Sequence, residues 1–241
     1  MNHIPWLLLL LGLPGTIVAQ QKNPVEKQQI VNAVGQESTL GTVQTFNERY
    51  EGIKGSPFLT DEWTDGQVHM HNGQVFDQLQ VKYNLYRDEI IVKRRDGAEV
   101  IPDKKTIRSF SLDTGSPGPL RRFVRVDYLP DNRAFPHNHF AEILYEGAST
   151  LLAVHDKSFI RADYRQAYHA NRPYDKFGDV MTQYFWIAPD GRVHVLKPSK
   201  RAITKLFSDQ KDVMVAFAEE NQLDLRRPSD VVRLVQYYDQ R

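Results

Sequence analysis

From residue 50 onward, apolar and polar side chains alternate in short runs that predict β-strands. The clearest run is V75-F-D-Q-L-Q-V-K-Y-N-L85, where Leu79, Val81, Tyr83 and Leu85 alternate with polar residues. Period-two alternation is typical of a strand with one buried and one wet face. The pattern predicts strands at Gly66–His71, Gln74–Tyr86, Glu89–Arg95, Ile107–Leu112, Phe123–Tyr128, Ala141–Tyr145, Leu151–Val154, Gln183–Ile187 and Val193–Lys197.

Turn signals separate these runs. Asn72-Gly73 favours the positive φ angles of a two-residue hairpin turn, and Asp96-Gly97 and Asp190-Gly191 repeat the signal. A two-residue turn at Asn72-Gly73 would place His69 opposite Phe76, on the wet face of the following strand.

After Lys197 the periodicity becomes helical. We predict helices at Ser199–Phe207, Ser208–Asn221 and Ser229–Tyr238, the last with Ser229 as its N-cap. Its apolar stripe indicates docking onto the sheet, and the alternative is a partner helix. Strands followed by helices predict an α+β fold with a large, mainly antiparallel sheet. An eight-stranded ligand-holding barrel remains an alternative.

The first residues predict export. The apolar run W6-L-L-L-L-L-G-L-P-G-T-I-V-A19 is too short to span a bilayer comfortably, which takes about 20 apolar residues. It ends in a small residue, so we interpret residues 1–19 as a signal peptide, although no Lys or Arg precedes it. The alternative is an uncleaved membrane anchor. Residues 20–44 are polar and are interpreted as a linker or arm. Residues 45–241 are predicted to form a single domain, helical from about residue 199.

Composition narrows the function without defining it. The 241 residues contain 31 Lys+Arg and 30 Asp+Glu, a balance that gives no electrostatic footprint for nucleic acid. No later segment is apolar enough to cross a membrane. The absence of cysteine suits an oxidising compartment and excludes disulfides, thiolate metal sites and a cysteine nucleophile. No nucleotide-binding, G-x-S-x-G or H-E-x-x-H motif is present, so no cofactor is expected.

Two His-x-His pairs, His69/His71 and His137/His139, raise the question of a metal site. Residues i and i+2 of a strand share a face, but zinc needs three or four ligands. The first pair has no carboxylate beside it and is interpreted as surface histidine. For His137 and His139, a helix would bring Glu142 and Glu146 towards His139, whereas a strand would turn them away. We favour the strand, which leaves His137 and His139 as the candidate metal ligands without a complete site.

Tyrosine and arginine crowd one stretch of the chain. Aromatic and arginine side chains are enriched at protein interfaces. The alternative is that these tyrosines fill the edges of the core. The predicted binding residues are Arg161, Arg165, Tyr168, Arg172 and Tyr174, near which Tyr164 and Tyr184 also occur.

Several fragments together resemble one group of proteins. They are G52-I-K-G-S-P-F-L59, Trp63, Gly66, K82-Y-N-L-Y86, L144-Y-E-G147, Y184-F-W, G191-R-V-H-V-L-K-P-S-K200, L206-F-S-D-Q-K211 and L234-V-Q-Y-Y238. From about Glu51 to the last residue, the chain resembles uncharacterised secreted cell-envelope proteins of Gram-negative bacteria. The resemblance implies location in the periplasm, at the outer membrane or outside the cell, and a β-rich body with a helical tail. It implies no activity.

The sequence therefore favours a non-enzymatic exported protein that binds another envelope component, such as an envelope protein. A carrier of a small apolar ligand is the first alternative, and a metal-dependent hydrolase using His137 and His139 is the second.

Overall fold

The computed structural model describes residues 50–93, 97–115, 120–129, 132–136, 139–162, 174–197 and 199–241. The predicted signal peptide and linker lie outside these ranges. Within them, ten strands form one antiparallel sheet in the order β10-β9-β8-β7-β6-β5-β1-β2-β3-β4. The strands are β1 Thr64–Met70, β2 Val75–Asn84, β3 Glu89–Lys93, β4 Glu99–Val100, β5 Ile107–Asp113, β6 Arg121–Arg125, β7 Phe140–Glu146, β8 Thr150–Ile160, β9 Lys176–Ile187 and β10 Val193–Leu196.

The outermost strands, β10 and β4, do not pair with each other among the described residues, so the sheet is open. The α+β fold with a large antiparallel sheet is confirmed, whereas the closed eight-stranded barrel is not formed.

Strand β2 shows both the success and the limit of the alternation argument. Leu79, Val81 and Tyr83 are buried as predicted. Phe76, predicted on the wet face, is buried too, because Gln78 adopts a positive φ of 54° and a bulge shifts the register between β1 and β2. A bulge adds one residue to a strand and so reverses which face the preceding residues occupy.

The first hairpin also differs from its prediction. His69 pairs with Val75 rather than Phe76, since the loop between β1 and β2 spans residues 71–74. Gly73 supplies the expected positive φ of 90°. The Met70 N–H donates to the Gln74 carbonyl over 2.8 Å and closes the wider turn.

The first half of the sheet curls around its own side chains. Tyr83 on β2 lies with its ring 6.1 Å from that of Phe140 on β7. These strands are four places apart in the sheet, about 19 Å if the sheet were flat. The contact therefore requires strong curvature, and the buried rings of Phe110 and Phe123 fill the concave face between them.

The second half of the sheet is covered on both faces. Helices α1 Lys200–Leu206, α2 Lys211–Glu220 and α3 Pro228–Asp239 cover one face, where Met214 and Leu234 pack with Trp186. The other face is covered by Val126 and Phe135, from a segment with two short 3₁₀ turns. One turn occupies Val126–Tyr128, so β6 ends earlier than predicted.

The last helix begins one residue before its predicted start. Pro228 is the first residue of α3, and Arg227 holds the N-cap position instead of Ser229. Proline suits this position because its fixed φ is helical and its missing N–H has no helical partner there.

A short segment, residues 50–59, crosses between the two halves, and we name it the strap. The Leu59 N–H donates to the Tyr83 carbonyl on β2, and the Phe177 N–H on β9 donates to the Lys54 carbonyl, both over 2.9 Å. The strap therefore joins strands that lie far apart in the sheet order.

Candidate binding surface

The burial and the pairing of strand β9 change along its length. Its last four residues, Tyr184–Ile187, are buried and pair with β8 on one side and β10 on the other. Strand β10 ends opposite Tyr184, so residues 178–183 keep only β8 as a neighbour. Among the described residues no strand lies along their outer edge.

Residues 179–183 are all solvent-exposed. Two of them are apolar: Val180 is 44% exposed and Met181 is 53% exposed. An unpaired edge presents backbone N–H and carbonyl groups that can accept another strand. We name residues 178–183 the β9 edge.

Five aromatic rings from the strap, strands β8 and β9 and the turn after β2 meet beside the start of β9. This aromatic cluster consists of Tyr50, Phe58, Tyr86, Phe159 and Phe177. Its ring centroids lie 5.3–6.2 Å apart, and most pairs meet edge to face, an arrangement that favours aromatic attraction. Tyr86 is exposed, so the cluster reaches the surface.

Lys157 on β8 secures the strap beneath this cluster. Its ammonium donates to the carbonyls of Ser56 and Phe58, each over 2.8 Å. Burial lowers the pKa of Lys157, and nearby Asp61 and Asp179 oppose that shift. A buried polar contact of this kind holds the strap in one position against the sheet.

Two of the predicted binding residues lie at this end of the molecule. Arg161 and Tyr174 are both exposed. The Lys54 ammonium donates to the Tyr174 hydroxyl over 3.1 Å and lies 4.7 Å from the ring centroid, which lowers the pKa of Tyr174. Nearby, the Ala162 N–H donates to the Asp175 carboxylate over 2.7 Å.

The remaining predicted binding residues, Arg165, Tyr168 and Arg172, lie outside the described ranges, as does Tyr164. Tyr184 does not belong to this surface, because it is buried beneath the helices.

The candidate metal ligands are not brought into a cluster in the described part of the chain. His139 precedes β7, and His137 lies outside the described residues. β7 is a strand, as favoured above. No group of three or more potential metal ligands occurs among the described residues. The other pair is separated too: His69 contacts the Gln67 amide at 2.8 Å, and His71 contacts the Tyr128 hydroxyl at 3.0 Å.

A histidine that the sequence did not single out lies in a polar cluster in which Glu142 and His155 are buried and Thr182 is exposed. His155 on β8 is 2.7 Å from Glu142 on β7 through Nε2, and 3.0 Å from the Thr182 hydroxyl on β9 through Nδ1. Arg121 on β6 donates to both oxygens of Glu142 over 2.7 and 2.8 Å. We name Arg121, Glu142, His155 and Thr182 the polar quartet.

The electrostatics of the quartet keep Glu142 ionised. Burial raises the pKa of Glu142, but the hydrogen bonds and charges of Arg121 and His155 outweigh burial and lower it to about 2. With Nε2–H donating to this carboxylate, His155 Nδ1 can accept from the Thr182 hydroxyl. Such a hydroxyl–imidazole–carboxylate chain is one element of nucleophilic catalysis. Here it also satisfies buried polar groups and links four strands between the two cores.

Sequence reasoning missed the quartet because its residues come from four different strands. The signal that could have found it is the pairing of the β7–β8 hairpin, which brings the Glu142 strand next to the His155 strand.

Comparisons of the chain with protein families, with curated proteins and with solved structures found no match in any of the three. No helix within the described ranges combines the length and apolar character needed to cross a bilayer. The fold itself defines the class: an α+β protein built on an open, curled ten-stranded antiparallel sheet.

Proposed function

We propose that this protein is an exported binding module that holds another component of the cell envelope at the β9 edge. The single observation that carries the proposal is the middle of β9, where five consecutive residues are exposed beside a backbone edge with which no described strand pairs. The component is an extended segment of a second envelope protein that adds a strand to β9, with apolar side chains against Val180 and Met181.

The surroundings of the edge support this proposal. The aromatic cluster adjoins the edge and is fixed by Lys157 and the strap, so the surface is organised before a partner arrives. Rigid aromatic contacts bind at low entropic cost. Export is supported by the apolar segment at residues 6–19, by the absence of cysteine and by the resemblance to secreted envelope proteins.

A carrier of a small apolar ligand is supported less well. The concave face, where such a ligand would lie in a curled sheet, is filled by Tyr83, Phe110, Phe123 and Phe140, all buried. A hydrolase is also supported less well, because Glu142 is held by both arms of the Arg121 guanidinium and the His155 ring is buried.

The test is cross-linking in the native host with tagged protein, followed by purification and mass spectrometry. A Val180→Lys variant should lose the dominant partner, because a charge would replace an apolar contact at the edge. Val213→Lys is the matched control, since Val213 is also exposed but lies on helix α2. Direct binding of the purified partner should show the same loss.

Equal recovery of the partner by both variants would overturn the proposal. Recovery of only a second copy of this chain would overturn it as well, because the edge would then be a self-association surface.

A further inference from the structure

A second surface lies on the helical side of the molecule, away from the β9 edge. A groove of about 1020 Å³ opens between the β9–β10 hairpin and helix α1, with Tyr238 of α3 at one side. Its size is at the upper end of the range of small-molecule sites, about 300–1,000 Å³.

The groove carries an excess of positive charge. Asp190 is the one carboxylate among its described lining residues, and it is already paired with Arg192 over 2.6 Å. Lys197, Arg201 and Lys205 add three further cations to the same lining. Neither Lys197 nor Lys205 forms an ion pair within the described part of the chain.

The two cations of helix α1 lie on the same side of it. Arg201 and Lys205 are four residues apart, which places their side chains next to each other. Both side chains therefore line the same part of the groove.

An independent feature of the groove is the indole of Trp186. This side chain is only 3% exposed, and its Nε1–H donates to no described group. Buried tryptophan N–H groups normally have a partner. Rings surround the indole: His194 at 5.6 Å, Phe207 at 5.0 Å and Tyr238 at 5.3 Å between centroids.

We propose that this groove binds an organic phosphate. The phosphate lies between Lys197, Arg201 and Lys205, and the apolar body of the ligand rests against the wall formed by Trp186 and His194. A dianionic phosphate matches three cations better than a carboxylate does, and Arg and Lys are the usual phosphate donors. The phosphate can belong to a soluble ester or to a lipid headgroup.

The test follows the indole N–H signal of Trp186 by ¹H–¹⁵N NMR of the protein during titration with phenyl phosphate. Trp6→Phe and Trp63→Phe variants identify the other two indole signals of the chain and so assign that of Trp186. We expect a saturable shift with phenyl phosphate, a weaker response to inorganic phosphate and none to phenol at the same concentration. A Lys205→Glu variant should lower the affinity about tenfold or more, whereas Lys105→Glu, a matched reversal outside the groove, should leave it within about twofold.

Phenol shifting the signal as strongly as phenyl phosphate would overturn the proposal, as would equal affinity of the Lys205→Glu and wild-type proteins. Sedimentation with phosphatidylglycerol vesicles, but not phosphatidylcholine vesicles, would assign the phosphate to a lipid headgroup. Failure of both vesicles, with phenyl phosphate still bound, would assign it to a soluble ester. Neither result depends on the β9 edge.

Discussion

The two halves of the sheet bury their apolar faces by different means. The first half curls until Tyr83 meets Phe140 across four strands, so its side chains cover one another. The second half relies on helices α2 and α3 on one face and on Val126 and Phe135 on the other. The difference explains where the molecule is left uncovered. Among the described residues, neither the curled half nor the helices cover residues 178–183 of β9, and that is the surface we assign to a partner.

The largest expected effect is in the curled half. Changing Phe123 to Ala removes a fully buried ring that stacks on Phe110 at 4.7 Å and contacts Tyr83 at 5.3 Å. We expect the free energy of unfolding to fall by about 3–5 kcal/mol, because the neighbouring rings cannot all close the cavity. Urea denaturation measures this. A loss below about 1 kcal/mol would show that the rings do not form a single core.

The helix-covered half gives the contrasting prediction. Leu234→Ala in α3 should cost about 2–5 kcal/mol, since Leu234 is fully buried against the sheet. Hydrogen exchange should show the loss first in the amides of β8 and β9, because the curled half does not contact the helices through this residue. Uniform loss of protection across β1–β5 would contradict the separation of the two cores.

The contribution of the polar quartet, at the boundary between the halves, to the free energy of unfolding should fall in acid. The pKa of Glu142 is lowered from 4.5 to about 2 in the folded protein, so the unfolded chain binds the proton more readily. The stabilisation from Glu142 is complete above pH of about 4.5 and is lost as the pH falls towards 2, by about 3 kcal/mol. Unfolding measured at several pH values should show this slope. In the Glu142→Gln variant, the part of this pH dependence that comes from residue 142 should be absent.

The smallest effect on stability belongs to the β9 edge. Val180→Lys should change the free energy of unfolding by no more than about 1 kcal/mol, because Val180 is 44% exposed and the repulsion from its cross-strand neighbour Lys157 is worth about 0.2–1 kcal/mol. Thermal unfolding compared with the Val213→Lys control measures this. A clear loss of stability would mean that Val180 supports the fold and that its variant cannot report on binding alone.

The sequence predicted the fold better than the sites, for physical reasons. Strand alternation and helical stripes are local, so Val81 and Leu234 were assigned to the core correctly. The bulge at Gln78 depends on pairing with β1, and it moved Phe76 into the core against the prediction.

The candidate sites depend on contacts between distant segments. Glu142 meets His155 only when β7 and β8 pair, and Lys205 joins the groove only when helix α1 packs beside β10. Arg161 and Tyr174 were predicted as binding residues and lie on the exposed surface beside the aromatic cluster. The β9 edge itself has no signature in sequence, because exposure there depends on where β10 ends.

The strap has a consequence for folding kinetics. Its anchor, Lys157, is 101 positions from Ser56 in the chain, whereas β1 and β2 are joined by a short loop. A contact between distant residues forms slowly, because a large loop must close, with a loss of chain entropy, before the energy of the contact is gained. We expect the hairpins to form early and the strap to dock late. The aromatic cluster, which includes two strap residues, would then be completed only at the end of folding.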